Sequence, residues 1–387
     1  MKEIGVGIIG ASQTKAGWAV NVHIPALRAV RGYRLRAVAT SRRASADAAG
    51  AAFGVDAFDD PRALIDHPGV DLVVVVVKVP HHYELVAQAL AAGKMVYSEW
   101  PLGVNLAEAT HLAELADTAG VRTVIGLQAR FAPAVRRLRE LVAEGYLGRV
   151  LASTLIGSAW GWDAVTDRSH AYLFDVTNGV TTLSVSTAHA LDALTYVLGD
   201  IDRVTATLAV GRREVLIAEE NTTLPVTAPD QVAVTAALQS GAVASVFYRG
   251  GRSRAGNLRW EINGTSGDLL LTTPTVDGNI QYTELTLAGG HGTATQVSPL
   301  AVPARQDTDL AAVPAGPASN VAAVYAALAE DLTKDTHEVP DFTHALRMHR
   351  LIADIEAAAT REHLPTNELH TLGLRRTPAV ARPPASA

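Results

Sequence analysis

The sequence predicts an α/β protein with two units: an N-terminal doubly wound parallel (Rossmann) sheet, then a C-terminal α+β unit with an open, mostly antiparallel sheet. Three observations predict it. Short apolar runs such as 4–9, 71–77 and 123–127 are apolar on both faces and separated by helix-length segments, as strands covered by helices on both sides must be. Gly10 closes the first run ahead of a helix-length stretch, where a dinucleotide-binding turn would stand. Beyond about residue 150 the pattern changes to period-two alternation, punctuated by Ser240-Gly241, Gly250-Gly251 and Thr265-Ser266-Gly267, which describes connected antiparallel strands.

Taken in order, strands are predicted over 4–9, 33–40, 55–58, 71–77, 95–98 and 123–127. Helices are predicted over 24–30, 44–53, 61–66, 82–92 and 106–119, the last two closed by Gly93 and Gly120. In the second unit, strands are predicted over 150–156, 203–210, 231–238, 243–248, 258–262 and 268–272. A helix over 181–194 would cross the junction between the units. The stretch 288–319, rich in Gly, Ala, Pro and Thr, reads as a long mobile loop. Helical periodicity returns over 320–332 and 342–359, and the tail reads as disordered. The expected divisions are 1–128 for the dinucleotide unit, 129–365 for the substrate and dimerisation unit, and 366–387 for the tail.

Composition narrows the function. The chain has 387 residues, 48% hydrophobic and 19% charged, with a net charge of −6, so bulk electrostatics give no reason to bind nucleic acid or anionic membrane. No apolar run approaches the roughly 18 residues that span a bilayer. The absence of cysteine excludes disulfides, thiolate metal sites and Cys nucleophiles, and no metal site is expected. Met1-Lys2-Glu3 leads straight into a strand, so no signal peptide is expected and the cytoplasm is the default setting.

The strand ends carry the candidate chemistry, because ligands of doubly wound sheets sit beyond them. Gly10, Ala11 and Ser12 form the first turn and Trp18 opens the helix that follows. A G-x-G-x-x-G pattern would place glycine where Ser12 stands, so the turn suits either a dinucleotide or another glycine turn. The second strand ends in Ser41, Arg42 and Arg43 with no acid. Guanidinium forks match a 2′-phosphate, so NADP(H) is preferred and NAD(H) is the alternative; a solvated basic turn would look the same. The fourth strand runs into Lys78, Val79 and His82, and the fifth into Glu99 and Trp100.

The order of His23-Ile-Pro-Ala-Leu, Pro80-His-His-Tyr-Glu, Gly93-Lys-Met-Val-Tyr-Ser-Glu-Trp-Pro and Arg130-Phe-Ala-Pro resembles the glucose–fructose oxidoreductase, inositol dehydrogenase and rhizopine-catabolism (Gfo/Idh/MocA) family. The likeness is strong over 4–150 and weaker to about 360. The stretch 16–23 and the Glu99-Trp100 pair resemble the branch containing the fungal galactose-gene co-repressor. The resemblance implies an NAD(P)-binding fold, oxidation or reduction of sugar and polyol carbons, and dimer contacts through the C-terminal sheet.

The departures from that family bear on catalysis. The resemblance implies Glu-Lys-Pro where Trp100 replaces lysine, and Asp-x-x-x-His where Val185 replaces aspartate, leaving His189 in place. His189 is the expected acid/base, or else a satisfied core histidine. Lys78 is the other catalytic candidate, supplying positive charge near the nicotinamide, or else a snorkelling strand-end lysine. The cofactor set is Gly10, Ala11, Ser12, Trp18, Ser41, Arg42, Arg43, Val79, His82, Glu99, Trp100 and Gln128.

Trp160, Trp162, Tyr172 and Asn178 are the substrate candidates, since aromatic faces with a few polar groups suit sugar-like ligands; a Trp-anchored packing loop is the alternative. Two functions follow. One is an oxidoreductase acting by hydride transfer on a sugar-like or other small hydroxyl or carbonyl substrate, with a depleted catalytic set. The other is an inactive NAD(P)-sensing regulator. A homodimer or homotetramer through the C-terminal sheet is expected.

Overall fold

A computed structural model of the chain describes residues 3–13, 17–303, 313 and 315–361. Residues 14–16 of the first turn, 304–312 of the predicted long loop and the predicted 366–387 tail lie outside the described residues.

The first sheet runs β3-β2-β1-β4-β5-β6 and every pairing in it is parallel. Its strands are β1 (Ile4–Ile9), β2 (Tyr33–Ala39), β3 (Asp56–Phe58), β4 (Leu72–Val75), β5 (Met95–Glu99) and β6 (Thr123–Gly126). Between them run α1 (Ile24–Ala29), α2 (Arg43–Phe53), α3 (Pro61–Ile65), α4 (His82–Ala91) and α5 (Leu106–Ala119). The helices begin where their caps dictate. Asn105 accepts from Glu108 N at the head of α5, and Asp60 accepts from Arg62 N at the head of α3. All four residues of β4 are fully buried, which explains why the run carries no polar position. Strand order reverses between β1 and β4, and the crevice at such a switch point is where a ligand lies.

After α6 (Pro133–Ala143) the chain builds a second sheet in the order β17-β16-β15-β14-β7-β13-β12-β9. These are β7 (Val150–Ala159), β9 (Ile201–Ala209), β12 (Gln231–Leu238), β13 (Val243–Gly250), β14 (Leu258–Gly264), β15 (Gly267–Thr272), β16 (Thr286–His291) and β17 (Ser298–Pro299). Only the β7–β13 pairing is parallel; the others are antiparallel. Inward positions Val232, Val234, Val246, Tyr248, Leu155 and Trp260 are buried. The alternate positions Ala233, Phe247 and Ile156 lie side by side on the other face, where Phe247 is 36% exposed.

Two expectations are corrected. The stretch 288–319 contains most of β16, all of β17 and the start of a helix, because residues 288–291 pair with β15 rather than loop outward. A further three-stranded sheet, β8 (Val165–Thr166), β10 (Glu214–Ile217) and β11 (Thr222–Pro225), was not predicted; strands this short carry no readable period. The last described helices, α8 (Pro317–Lys334) and α9 (Phe342–Arg361), return to the first unit. Tyr325 of α8 lies in one apolar cluster with Val22, Ile24, Leu27 and Tyr97. Ile125 N in β6 donates to Pro340 O at 2.9 Å. Among the described residues no helix is long and apolar enough to cross a membrane.

Candidate functional site

The turn after β1 is built for close approach. Gly10 has φ +107°, and a Cβ there would lie 2.1 Å from Val76 O, so no side chain fits between this turn and the end of β4. Ser12 N donates to Gly10 O at 3.1 Å, and Ala11 is fully buried. A π-helical turn, Ala19–His23, leads into α1 with Trp18 at its head. The Trp18 Nε1 is buried without a hydrogen-bond partner among the described residues, while its ring meets Tyr282 edge-on at 4.9 Å. A glycine cradle that a Cβ would fill, followed by an unpartnered indole N–H, fits a dinucleotide lying along the turn.

At the end of β2 the two arginines part. Arg43 Nε donates to Asp47 Oδ1 at 2.9 Å and Nη2 to Ala57 O at 2.8 Å, with Asp59 Oδ1 at 3.3 Å. Arg42 is exposed, and its guanidinium has no partner among the described residues. Ser41 is exposed, and Ser45 Oγ donates to Arg42 O at 2.9 Å, which fixes the turn.

Where β4 and β5 end, several predicted residues bind the protein itself. His82 is buried, with Nδ1 2.8 Å from Pro101 O and Nε2 3.0 Å from Val77 O; burial pushes its pKa down. It ties the ends of β4 and β5 together. Val79, also buried, opens the short turn into α4. The predicted 71–77 strand stops at Val75, because the chain bends there toward that clamp. Trp100 points across the junction, its Nε1 donating to Ser184 O at 2.7 Å and its ring 4.8 Å from that of His349. Gln128 is 1% exposed and its Oε1 has no partner among the described residues.

Glu99 and Lys78 face the other way. Glu99 Oε1 lies 2.8 Å from His23 Nε2. Lys78 Nζ lies 4.3 Å from the centre of the Tyr172 ring, so a cation–π contact bridges the two units at the rim of the crevice. Tyr282 enters from the second unit; burial, then the charge of Glu99, raises the pKa of its hydroxyl.

His189 stands in α7 (Ala188–Leu198), two residues beyond the π-helical turn Leu183–Thr187. It is 5% exposed and Nδ1 has no partner among the described residues; burial lowers its pKa to about 4, against a smaller opposing pull from Asp192. A pKa that low favours the neutral imidazole at pH 7, with one N–H and one accepting nitrogen. Asp192, fully buried, is gripped by Arg130 through both oxygens and lies 2.7 Å from His344 Nε2. Despite the cost of burial, Arg130 and His344 lower its pKa to about 2.

The substrate candidates divide. Trp160 is 40% exposed. Trp162 is buried and donates to Leu173 O at 2.9 Å, and Asn178 Nδ2 donates to Tyr172 O at 3.0 Å. Each makes a hydrogen bond within the loop, the kind of contact that the packing alternative describes. Sequence reasoning missed His23 and Tyr325 as a linked pair, the Asp192–Arg130–His344 group, and Tyr282. The adjacent His23-Ile24-Pro25 was visible, but not what it touches.

Comparison with known proteins follows these two units. Residues 4–127 match the model of an oxidoreductase family with an NAD-binding Rossmann fold, and residues 133–273 match that of the Gal80p C-terminal domain. The dehydrogenase aclE of Aspergillus oryzae is 36% identical over 208 residues, 51% of this chain and 56% of that protein. The galactose/lactose metabolism regulatory protein GAL80 of Kluyveromyces lactis is 30% identical over 247 residues, 59% of this chain and 53% of that one. The chain thus spans little more than half the length of these relatives. In fold alone it is similar to a super-repressor mutant of Gal80p from Saccharomyces cerevisiae, with a TM-score of 0.83 at 23% identity over 92% of this chain and 96% of that one. Levoglucosan dehydrogenase in complex with NADH and L-sorbose gives a TM-score of 0.79 at 20% identity, over 93% and 98%. Residues 4–127 are thus similar to an oxidoreductase family with an NAD-binding Rossmann fold, and residues 133–273 to the Gal80p C-terminal domain.

Proposed function

We propose that the chain is a nicotinamide-dinucleotide oxidoreductase acting on a sugar-like hydroxyl or carbonyl. The observation that carries this is the furnished crevice. Glu99 lies close enough to Tyr282 of the other unit for its charge to act on that hydroxyl, Lys78 stacks on Tyr172, and Trp160 offers an exposed aromatic face. When bound, the dinucleotide would give or take the hydride, and the protein supplies orientation and proton handling. Gly10, Ser12 and Trp18 would hold its phosphates and Arg42 its 2′-phosphate, so NADP(H) is preferred with NAD(H) accepted; Arg43, held by Asp47 and Asp59, supports the turn. Self-association through the outer face of the large sheet completes the reading, with Phe247 and Ile156 at its centre.

The test is absorbance at the reduced nicotinamide with levoglucosan, myo-inositol and D-glucose plus oxidised dinucleotide, and with 1,5-anhydro-D-fructose plus NADPH. Turnover of one of them is expected; none with either dinucleotide would sink the reading. One observation favours the second reading, an NAD(P)-sensing regulator. The residue standing for the family's lysine is an indole bonded to Ser184 O, able neither to carry charge nor to move a proton. A partner whose recovery on the immobilised chain changes with added NADP(H) is the result that reading expects.

A further inference from the structure

We propose that Glu99 takes the proton from the reacting substrate hydroxyl and that His23 is the residue positioning it. This rests on the oxidoreductase reading and deepens it. Glu99 ends β5 at the carboxyl edge of the sheet. Its carboxylate lies flat on Gly126, where a Cβ would sit 2.8 Å from Oε2 and 2.9 Å from Oε1, so only glycine leaves room for it. Oε1 is held by His23 Nε2. Oε2 has no hydrogen bond among the described residues, and the side chain is 15% exposed.

The direction of the hydrogen bonds follows from the carboxylate end of the chain of contacts. His23 Nδ1 lies 2.8 Å from the Tyr325 hydroxyl. Burial first, then the charge of Glu99, holds that phenol protonated well above its ordinary range. The Glu99 carboxylate can only accept, so Nε2 carries the proton that points at it, and with Nε2 donating, Nδ1 is left to accept from the Tyr325 hydroxyl. His23 is fully buried and clamped at both nitrogens, so Glu99 Oε1 is fixed while Oε2 is left for the crevice. The charged and titratable groups around this carboxylate are His23, His82 of α4, Tyr325 of α8, Tyr97 of β5 and Tyr282 of the second unit. All three phenols have raised pKa values, so none competes for the role at neutral pH. Lys78 is engaged on the Tyr172 ring, and His189 is almost closed to solvent.

In the oxidation direction, Glu99 Oε2 accepts the hydroxyl proton as the substrate O–H bond breaks. The electron pair left on oxygen closes the C=O bond, and hydride leaves the carbon with its own pair for the oxidised nicotinamide dinucleotide. The proton on Glu99 then passes to solvent through the exposed side of the carboxyl. Reduction runs the same transfers backwards.

Glu99→Gln and His23→Gln in the full chain test this. Gln keeps an oxygen for the His23 donor, so the fold is retained, and Glu99→Asp, which keeps the charge but withdraws it, serves if Glu99→Gln fails to fold. With the sugar panel above, Glu99→Gln is expected to lower kcat by about 10²–10⁴-fold while dinucleotide affinity by fluorescence moves less than about threefold. His23→Gln, whose flexible amide no longer fixes Oε1 as the clamped ring does, is expected to lower kcat more than it raises KM. Independently of turnover, 15N-histidine NMR should show His23 as the Nε2–H tautomer at pH 7. Wild-type turnover that survives Glu99→Gln overturns this proposal alone, and a His23 Nδ1–H tautomer overturns the positioning. No turnover by wild type removes the oxidoreductase reading and this one with it.

Discussion

The indole N–H of Trp100 donates to the backbone carbonyl of Ser184 at 2.7 Å, in a site where both residues are buried. The side chain at the family's lysine position is thus a strut between the two units. Trp100→Phe keeps most of the ring volume and orphans the Ser184 carbonyl, an expected loss of about 1–3 kcal/mol. Trp100→Lys adds a charge to the same apolar neighbourhood and should destabilise more than Trp100→Phe, without creating turnover. Urea denaturation of the purified variants checks both.

Acid should weaken the protein through its buried histidines. His189 and His349 have folded pKa values near 4 because burial disfavours the cation, against about 6.5 in an unfolded chain. A base whose folded pKa is lowered stabilises fully above the unfolded value and loses that contribution as pH falls from about 6.5 to about 4. Each histidine removes on the order of 3 kcal/mol across that window. His189→Gln should flatten the fall when unfolding is measured at pH 7.5 and 4.5, and an unchanged slope would show that His189 is solvated.

Arg42→Ala should weaken NADPH binding by about tenfold and leave NADH nearly unchanged, because only a 2′-phosphate loses a charge-assisted partner. Arg43→Ala should affect both dinucleotides equally and modestly, since its guanidinium already holds Asp47 and Ala57 O. Titration by tryptophan quenching compares the four affinities.

The proposed self-association predicts that Phe247→Asp or Ile156→Asp yields monomers. The two positions are neighbours across the parallel β7–β13 pair, on the outward side of the sheet, so a new charge there would meet its own copy in a symmetric pairing. Sedimentation equilibrium reads the outcome; unchanged mass would move the interface elsewhere.

Much of the fold was legible because burial on both faces writes itself as uninterrupted apolar sequence. Leu72–Val75 has no polar position for that reason, and α5 ends at Gly120 because only a left-handed residue closes it there. The two-residue β8 and four-residue β10 lie below the length at which alternation can be seen. The site was half legible. Gly10, Glu99 and Lys78 stand at strand ends, which the pattern locates. What each side chain touches is set by partners far along the chain: His23 meets Tyr325 across 302 positions, and Arg130 meets His344 across 214. Trp100 pointing away from the crevice and Arg43 turning toward Asp59 are consequences of packing that no spacing encodes.

The return of α8 to α1 sets the order in which this protein can be made. His23 and Tyr97 share their apolar cluster with Tyr325, and Tyr325 leaves the ribosome some three hundred residues after His23. Until then the nascent amino-terminal unit carries an uncovered aromatic seam and an imidazole held by Glu99 alone. Maturation of the crevice thereby waits on a helix made long after the strands it completes.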